Sequence, residues 1–155
     1  LFKMLIKLND KLQDEDFVIR NQRANIRKIG YEIIDSQPDY LNSNKMNFNI
    51  IYPKLKKPFI KSLADFPYDK NSQVYAENIL FIIKKISVNE LLIWPGVCPH
   101  QGSSLEDCVS EGDKKVCPWH GLKIPAIKLE NNQKAYIKYG FIFKLNKESI
   151  EITNA

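Results

Sequence analysis

Two short boxes, each pairing a cysteine with a histidine, constrain this chain more than any other feature of its sequence. The first has the pattern C-x-H at residues 98–100, and the second has the pattern C-x-x-H at residues 117–120. Thiolate and imidazole groups are common ligands of zinc and iron in proteins. We therefore expect a fold that brings two separate loops together around a metal. The four candidate metal ligands are Cys98, His100, Cys117 and His120.

The arrangement of the boxes bears on which metal they bind. Zinc fingers and ribbons usually place two cysteines in one knuckle and two histidines in another, whereas each box here holds one of each. This interleaving suits a cluster of two irons in which both cysteines bind one iron and both histidines bind the other. A structural zinc ion held by the same four side chains is the alternative.

Residues 98–121 resemble the Rieske motif in the proline after the first cysteine, the glycines near the histidines and the aromatic residue before the second histidine. The resemblance implies a [2Fe-2S] cluster bound by the four candidate ligands. It also implies that Gly102 and Gly121 allow backbone amides to approach the cluster sulfurs, and that Trp119 shields the cluster from water. The strand pattern from about residue 58 to residue 154 is similar to the rest of a Rieske domain, and residues 1–50 are not covered.

The resemblance also predicts the redox potential. Rieske proteins of respiratory and photosynthetic complexes have a disulfide between the two loops, and this chain has Ser103 and Trp119 at those positions. Those proteins also have a Ser and a Tyr that donate hydrogen bonds to the cluster, where this chain has Leu122 and Ile124. We therefore expect a potential near the low end of the range of about −150 to +300 mV. The third cysteine, Cys108, is interpreted as a bystander thiol, and a redox switch is the alternative.

The region from residue 50 onward has short apolar runs separated by turn residues, which is typical of antiparallel strands. The predicted fold is mainly β: a Rieske-like antiparallel β-sandwich with a small cluster-binding subdomain. Strands are predicted at Ile50–Tyr52, Phe59–Lys61, Gln73–Ala76, Ile79–Lys85, Glu90–Trp94, Lys115–Cys117, Ala135–Phe143 and Ser149–Thr153.

The first fifty residues have a different pattern. Leucines recur at helical spacing between residues 1 and 12, and a weaker helical pattern runs from Phe17 to Ile29 and stops at Gly30. A turn is predicted at residues 36–39 and a polar connection at residues 42–49. The predicted domains are a helical N-terminal extension at residues 1–50 and a Rieske iron–sulfur domain at residues 51–155.

Composition limits the range of partners. The formal net charge is +5, but the lysines occur in scattered pairs and triplets and not in one basic stripe, so no nucleic-acid partner is predicted. The apolar N-terminal residues are too few to span a bilayer, and we see no signal peptide. We expect no membrane partner and a cytoplasmic protein, in keeping with a reduced Cys108. The sequence does not indicate an oligomeric state.

The histidine count narrows the function. The chain has two histidines, both used by the predicted cluster, so it cannot also form the two-His, one-carboxylate iron site of a complete Rieske oxygenase. It contains no nucleotide-binding glycine motif. The predicted function is a ferredoxin-like electron carrier between a reductase and an oxygenase or similar acceptor, with no catalytic site of its own. The alternatives are a Rieske domain cut from a larger oxidoreductase and a zinc-bound structural module.

Overall fold

The computed structural model describes residues 2–34, 50–131 and 135–155. This part of the chain contains one long helix, α1 (Phe2–Lys28), thirteen strands and a single 3₁₀ turn at Leu63–Asp65. The strands are β1 (Glu32–Ile33), β2 (Ile50–Ile51), β3 (Phe59–Ser62), β4 (Asn71–Ala76), β5 (Ile79–Ser87), β6 (Glu90–Pro95), β7 (Ser110–Glu111), β8 (Lys114–Val116), β9 (Lys123–Pro125), β10 (Ile127–Glu130), β11 (Tyr136–Lys138), β12 (Phe141–Leu145) and β13 (Ser149–Asn154).

Two four-stranded antiparallel sheets form the main body. Their strand orders are β10-β6-β5-β4 and β11-β12-β13-β3. Buried residues of both sheets pack into one core, in which the ring of Phe81 on β5 lies 5.4 Å from that of Phe141 and 5.6 Å from that of Phe143 on β12. Edge-to-face contacts of this kind add to the gain from burying the rings. The predicted antiparallel β-sandwich is confirmed.

A third, smaller sheet stands beside the sandwich. It has the order β7-β8-β9 and is built from the residues around the second Cys–His box. A second core lies beneath it, and we use this name for the buried residues Ile82, Trp94, Cys98, Leu105, Cys117 and Ile124. Since two of its members are the cysteines of the two boxes, this sheet and core correspond to the predicted cluster-binding subdomain.

The strand predictions agree with the structure except at one long run. The prediction of a single strand at Ala135–Phe143 is wrong, because the chain turns at Tyr139 and Gly140 between β11 and β12. Both residues have positive φ, 55° for Tyr139 and 81° for Gly140, which no strand residue adopts. The short strands β1, β7, β9 and β10 were not predicted.

The N-terminal region forms one helix where the sequence showed two helical patterns. Helix α1 ends at Lys28, and Gly30 follows with a φ of +98°, as expected for a glycine just after a helix. Beyond it, β1 pairs with β2, and Tyr31 and Ile50 enter the main core together with Ile26 of the helix. The turn predicted at residues 36–39 and the connection at residues 42–49 lie outside the described residues.

No helix in the described residues combines the length and the apolar character that a membrane crossing requires.

Candidate metal centre

The first box lies in a loop between β6 and the small sheet, which we call the first Cys–His loop (residues 97–104). Its base is fixed to the sandwich, because the amide of Gly96 donates to the carbonyl of Leu80 at 2.7 Å and Val97 forms a bridge with Ser104. The hydroxyl of Tyr52 also donates to the carbonyl of Val97. The loop therefore starts and ends at fixed positions on the sheet.

The second box lies in the second Cys–His loop (residues 117–122), which connects β8 to β9. Both loops are closed by the same pair of backbone hydrogen bonds. The amide of Cys98 donates to Ser103 at 2.7 Å and that of Gly102 donates back to Cys98 at 2.9 Å. The amide of Cys117 donates to Leu122 at 2.8 Å and that of Gly121 donates back to Cys117 at 2.9 Å. The two boxes thus have equivalent backbone frames.

A glycine is required at the same place in both frames. Gly102 has a φ of +87° and Gly121 a φ of +65°, in the left-handed region that other residues rarely occupy. In the first loop, the tight turn at Gly102 also lets other amides reach inward. The backbone amides of His100 and Gln101 both donate hydrogen bonds to the sulfur of Cys98.

The two cysteines lie together in the interior. Cys98 is 1% exposed and Cys117 is 2% exposed, and their thiols are within hydrogen-bonding reach of each other. Burial raises the pKa of the Cys98 thiol to about 12, against the opposing effect of the two amide hydrogen bonds. A thiolate pair at this position consequently needs a positive charge beside it.

The two histidines form a second pair, nearer to the surface. The ring centroids of His100 and His120 lie 5.3 Å apart in an edge-to-face arrangement, with His100 half-buried and His120 exposed. Burial, followed by the charges of His120 and Arg23, lowers the pKa of His100. The neutral imidazole that a metal requires is therefore the favoured form of this ring.

The donor set fits a two-iron cluster. The four side chains are divided into a buried thiol pair and a surface imidazole pair, which is the division expected when each pair binds a different iron. Within residues 2–34, 50–131 and 135–155, no three His, Cys, Asp or Glu side chains are close enough to hold one metal ion. Iron bound to the thiols would supply the positive charge that the buried pair lacks.

The other residues singled out in the sequence surround the same place. Trp119 is half-buried and packs against the second core, as does Leu122, while Ile124 is a member of that core. Ser103 is buried, and its hydroxyl donates to the carbonyl of Ser104 at 3.3 Å. Cys108 also borders the second core, where its thiol donates to the carbonyl of Leu105 at 3.2 Å.

Sequence reasoning missed the contribution of helix α1 to this site. Arg23 donates from Nε to the carbonyl of Gln101 at 3.3 Å, and the side chain of Ile26 lies against Gly102. Ile19 and Val18 line, with Pro118 and Trp119, a cleft of about 440 Å³ beside the second loop. The available signal was the helical spacing of Ile19 and Ile26, which marks a face of α1 that must pack against something.

Comparison with known protein families agrees with the geometry. The family model for the Rieske [2Fe-2S] domain matches residues 57–127, a range that contains both Cys–His loops, all three strands of the small sheet and much of the sandwich. The searches of curated proteins and of solved structures gave no match. Rieske domains bind a [2Fe-2S] cluster and pass electrons through it to redox partners. Residues 57–127 of this chain match the Rieske [2Fe-2S] domain family.

Proposed function

We propose that the protein is a one-electron carrier whose cluster is held by Cys98 and Cys117 on one iron and by His100 and His120 on the other. The observation that carries this proposal is the matched pair of loops, which brings two buried thiols together and two imidazoles to within 5.3 Å between ring centroids. The cluster supplies the site for one added electron when bound. The protein holds it with a rigid backbone and keeps water from the cysteine side.

The electron would enter and leave at the histidine side. His120 is exposed and His100 half-buried, whereas both cysteines are buried, so a partner can approach closely only from the imidazoles. We propose a reductase as the donor and an oxygenase or similar enzyme as the acceptor. The cytoplasm is the proposed location, in keeping with three cysteines that form no disulfide in the described residues.

A potential at the low end of the Rieske range is also proposed. Leu122 and Ile124, which stand where high-potential relatives have hydroxyl groups, pack against the second core with apolar side chains. The hydroxyl of Ser103 is turned to the carbonyl of Ser104. Fewer hydrogen bonds to the cluster leave its reduced, more negative form less stabilised, and this lowers the potential.

The first experiment is spectroscopic. The protein is purified without air, its iron, sulfide and zinc are counted, and absorption and electron paramagnetic resonance spectra are recorded before and after reduction with dithionite. We expect two irons and two sulfides per chain, a reddish-brown colour and a low-average-g signal on reduction. One zinc in a colourless protein without a resonance signal would make the four residues a structural zinc site and end the electron-carrier proposal.

The ligand assignment is tested with cysteine variants, because the chain provides its own control. Cys98→Ser and Cys117→Ser are expected to abolish the Rieske spectrum. Cys108→Ser, a change of the same kind at the edge of the second core, is expected to leave the spectrum intact. In the histidine pair, His120→Cys is expected to alter the resonance signal, and an unchanged signal would show that His120 is no ligand.

A further inference from the structure

Only one face of helix α1 touches the Rieske domain. Of its residues from Leu5 to Lys28, those with reduced exposure are Ile19, Gln22, Arg23 and Ile26, and all others are exposed. This spacing of three and four residues puts them in one stripe along the last turns of the helix. The stripe lies on the first Cys–His loop, since Ile26 packs against Gly102 and enters the main core.

Arg23 is the charged member of this stripe. Its Nε atom donates to the carbonyl of Gln101, the residue next to His100, across 78 positions of sequence. In the described part of the chain, Arg23 has no carboxylate within ion-pair distance, whereas Arg20, one turn earlier on the exposed side, lies 3.0 Å from Asp16. The helix therefore brings an unneutralised guanidinium to the backbone of the histidine-bearing loop.

We propose that Arg23 raises the reduction potential of the cluster by holding a positive charge beside the first Cys–His loop. The inference rests on the proposed ligation by His100 and its three partners. One-electron reduction adds one negative charge to the cluster, and a cation nearby stabilises the reduced form more than the oxidised form.

The effect of Arg23 on the reduction potential is separate from that of the apolar side chains around the cysteine sulfurs. Leu122 and Ile124 are proposed to lower the potential from the second core, whereas Arg23 acts on the first loop from a helix that lies outside the matched Rieske segment. Since guanidinium remains protonated at any ordinary pH, the contribution is constant with pH. Because Arg23 is only half-buried, salt screens part of it.

The test uses the cluster-loaded protein and four variants. Arg23→Gln and Arg23→Met remove the charge, and Arg23→Lys keeps it. Arg20→Gln removes an exposed and paired charge of the same helix as the matched control. Each protein is first checked for the wild-type resonance signal, and its midpoint potential is then measured at low salt and at about 1 M salt, where the screening length falls to about 3 Å.

We expect the midpoint potential to be lower in the neutral variants than in the wild type. The equilibrium constant for one-electron reduction should fall at least threefold, where a tenfold fall corresponds to about 59 mV. Arg23→Lys should stay within twofold of the wild type, Arg20→Gln should not differ, and the loss in the neutral variants should shrink at high salt. Equal potentials in all proteins would overturn the inference. An equal, salt-independent fall in Arg23→Lys and Arg23→Gln would also overturn it, because the residue would then act through loop geometry.

Two further outcomes separate this inference from the proposed function. If the wild type shows the Rieske signal but neither Arg23→Gln nor Arg23→Met does, Arg23 is needed for assembly of the site, and the inference about the potential is wrong while the proposed function stands. If the wild type itself shows no Rieske signal, the proposed function fails and the inference fails with it.

Discussion

Ile26 of helix α1 and Gly102 of the first Cys–His loop are in such close contact that no side chain fits between them. A Cβ atom on residue 102 would lie 2.5 Å from Cδ1 of Ile26 and 3.3 Å from Cδ1 of Ile50. The glycine is needed here both for its φ of +87° and for this close approach. The loop that bears Cys98 and His100 is therefore shaped in part by the N-terminal segment.

Gly102→Ala is expected to lower the free energy of unfolding by about 2 kcal/mol or more. Two costs add up here: the left-handed backbone conformation that alanine disfavours, and the clash of the new methyl group with its neighbours. The free energy of unfolding is measured from urea curves of the cluster-loaded protein. Gly112→Ala is the matched control, since Gly112 has a φ of +61° but a Cβ atom added there would meet nothing within 4 Å. Gly112→Ala should lower the free energy of unfolding by only about 1 to 2 kcal/mol, from backbone strain alone.

A double variant separates the two costs. Ile26→Val removes the Cδ1 atom that the new methyl group would strike, so Gly102→Ala should cost less in the Ile26→Val background than in the wild type. Equal costs in both backgrounds would show that helix α1 does not press on the loop, and would contradict the packing described for the stripe.

Trp119→Ala is expected to make the cluster less durable without preventing its assembly. The indole packs against the second core that contains both cysteines, so its loss opens the cysteine side of the site to water and small reagents. The visible absorption should bleach severalfold faster in the presence of a chelator and air. Phe17→Ala, which removes an aromatic ring that is 66% exposed on helix α1, is the control and should bleach at the wild-type rate. Equal rates for Trp119→Ala and the wild type would show that the indole is no shield.

The sandwich, and the two loops that carry the cysteines and histidines, were predictable because short stretches of sequence indicate them. Alternating apolar residues mark strands such as β13, and the spacing of the boxes marks the loops, without knowledge of the rest of the chain. The contact of Ile26 with Gly102 has no such local signal, since it depends on where a helix docks far away in sequence. That is why the first fifty residues were assigned to an extension without a predicted role at the metal centre.

The turn at Tyr139 and Gly140 shows a different limit. Residues 135–143 contain almost continuous large side chains, which favour a strand. A tyrosine in the left-handed region is uncommon, so the sequence did not indicate a turn at Tyr139. The glycine beside it was the one usable sign of a turn. The sheet overrides the local preference of Tyr139, because closing β11 onto β12 pairs Tyr136 with Phe143 and extends the sandwich.

The protein is expected to lose stability steeply above about pH 10. Burial raises the pKa of Tyr31 and of Tyr52 well above the usual value, and that of Tyr139 to about 12. Above pH 10 the unfolded chain releases these protons and the folded chain keeps them, so the free energy of unfolding falls with rising pH, by about 1.4 kcal/mol per unit for each tyrosine. Urea curves at a series of alkaline pH values measure the slope.

Tyr31→Phe is the specific test of that slope. The hydroxyl of Tyr31 is buried and has no hydrogen-bond partner among the described residues, so its removal should leave the stability at pH 7 unchanged or slightly higher. Above pH 10, the free energy of unfolding should then fall less steeply with pH, by the contribution of one tyrosine. Tyr75→Phe, at a side chain that is 55% exposed, should not change it. An unaltered slope in Tyr31→Phe would mean that this tyrosine ionises alike in both states.

The reduction potential is expected to be constant at low pH and to fall at alkaline pH. A histidine that binds iron through one ring nitrogen keeps a proton on the other, and His100 and His120 are half-buried and exposed, so both can exchange that proton with water. The added negative charge of reduction makes the proton harder to lose. Above the pKa of the oxidised form, each reduction therefore takes up a proton, and the potential falls by up to about 59 mV per pH unit for one proton and one electron. Potentiometric titration across the neutral and alkaline range checks this, and a potential that stays constant throughout would contradict the assignment of the two imidazoles as solvent-facing ligands.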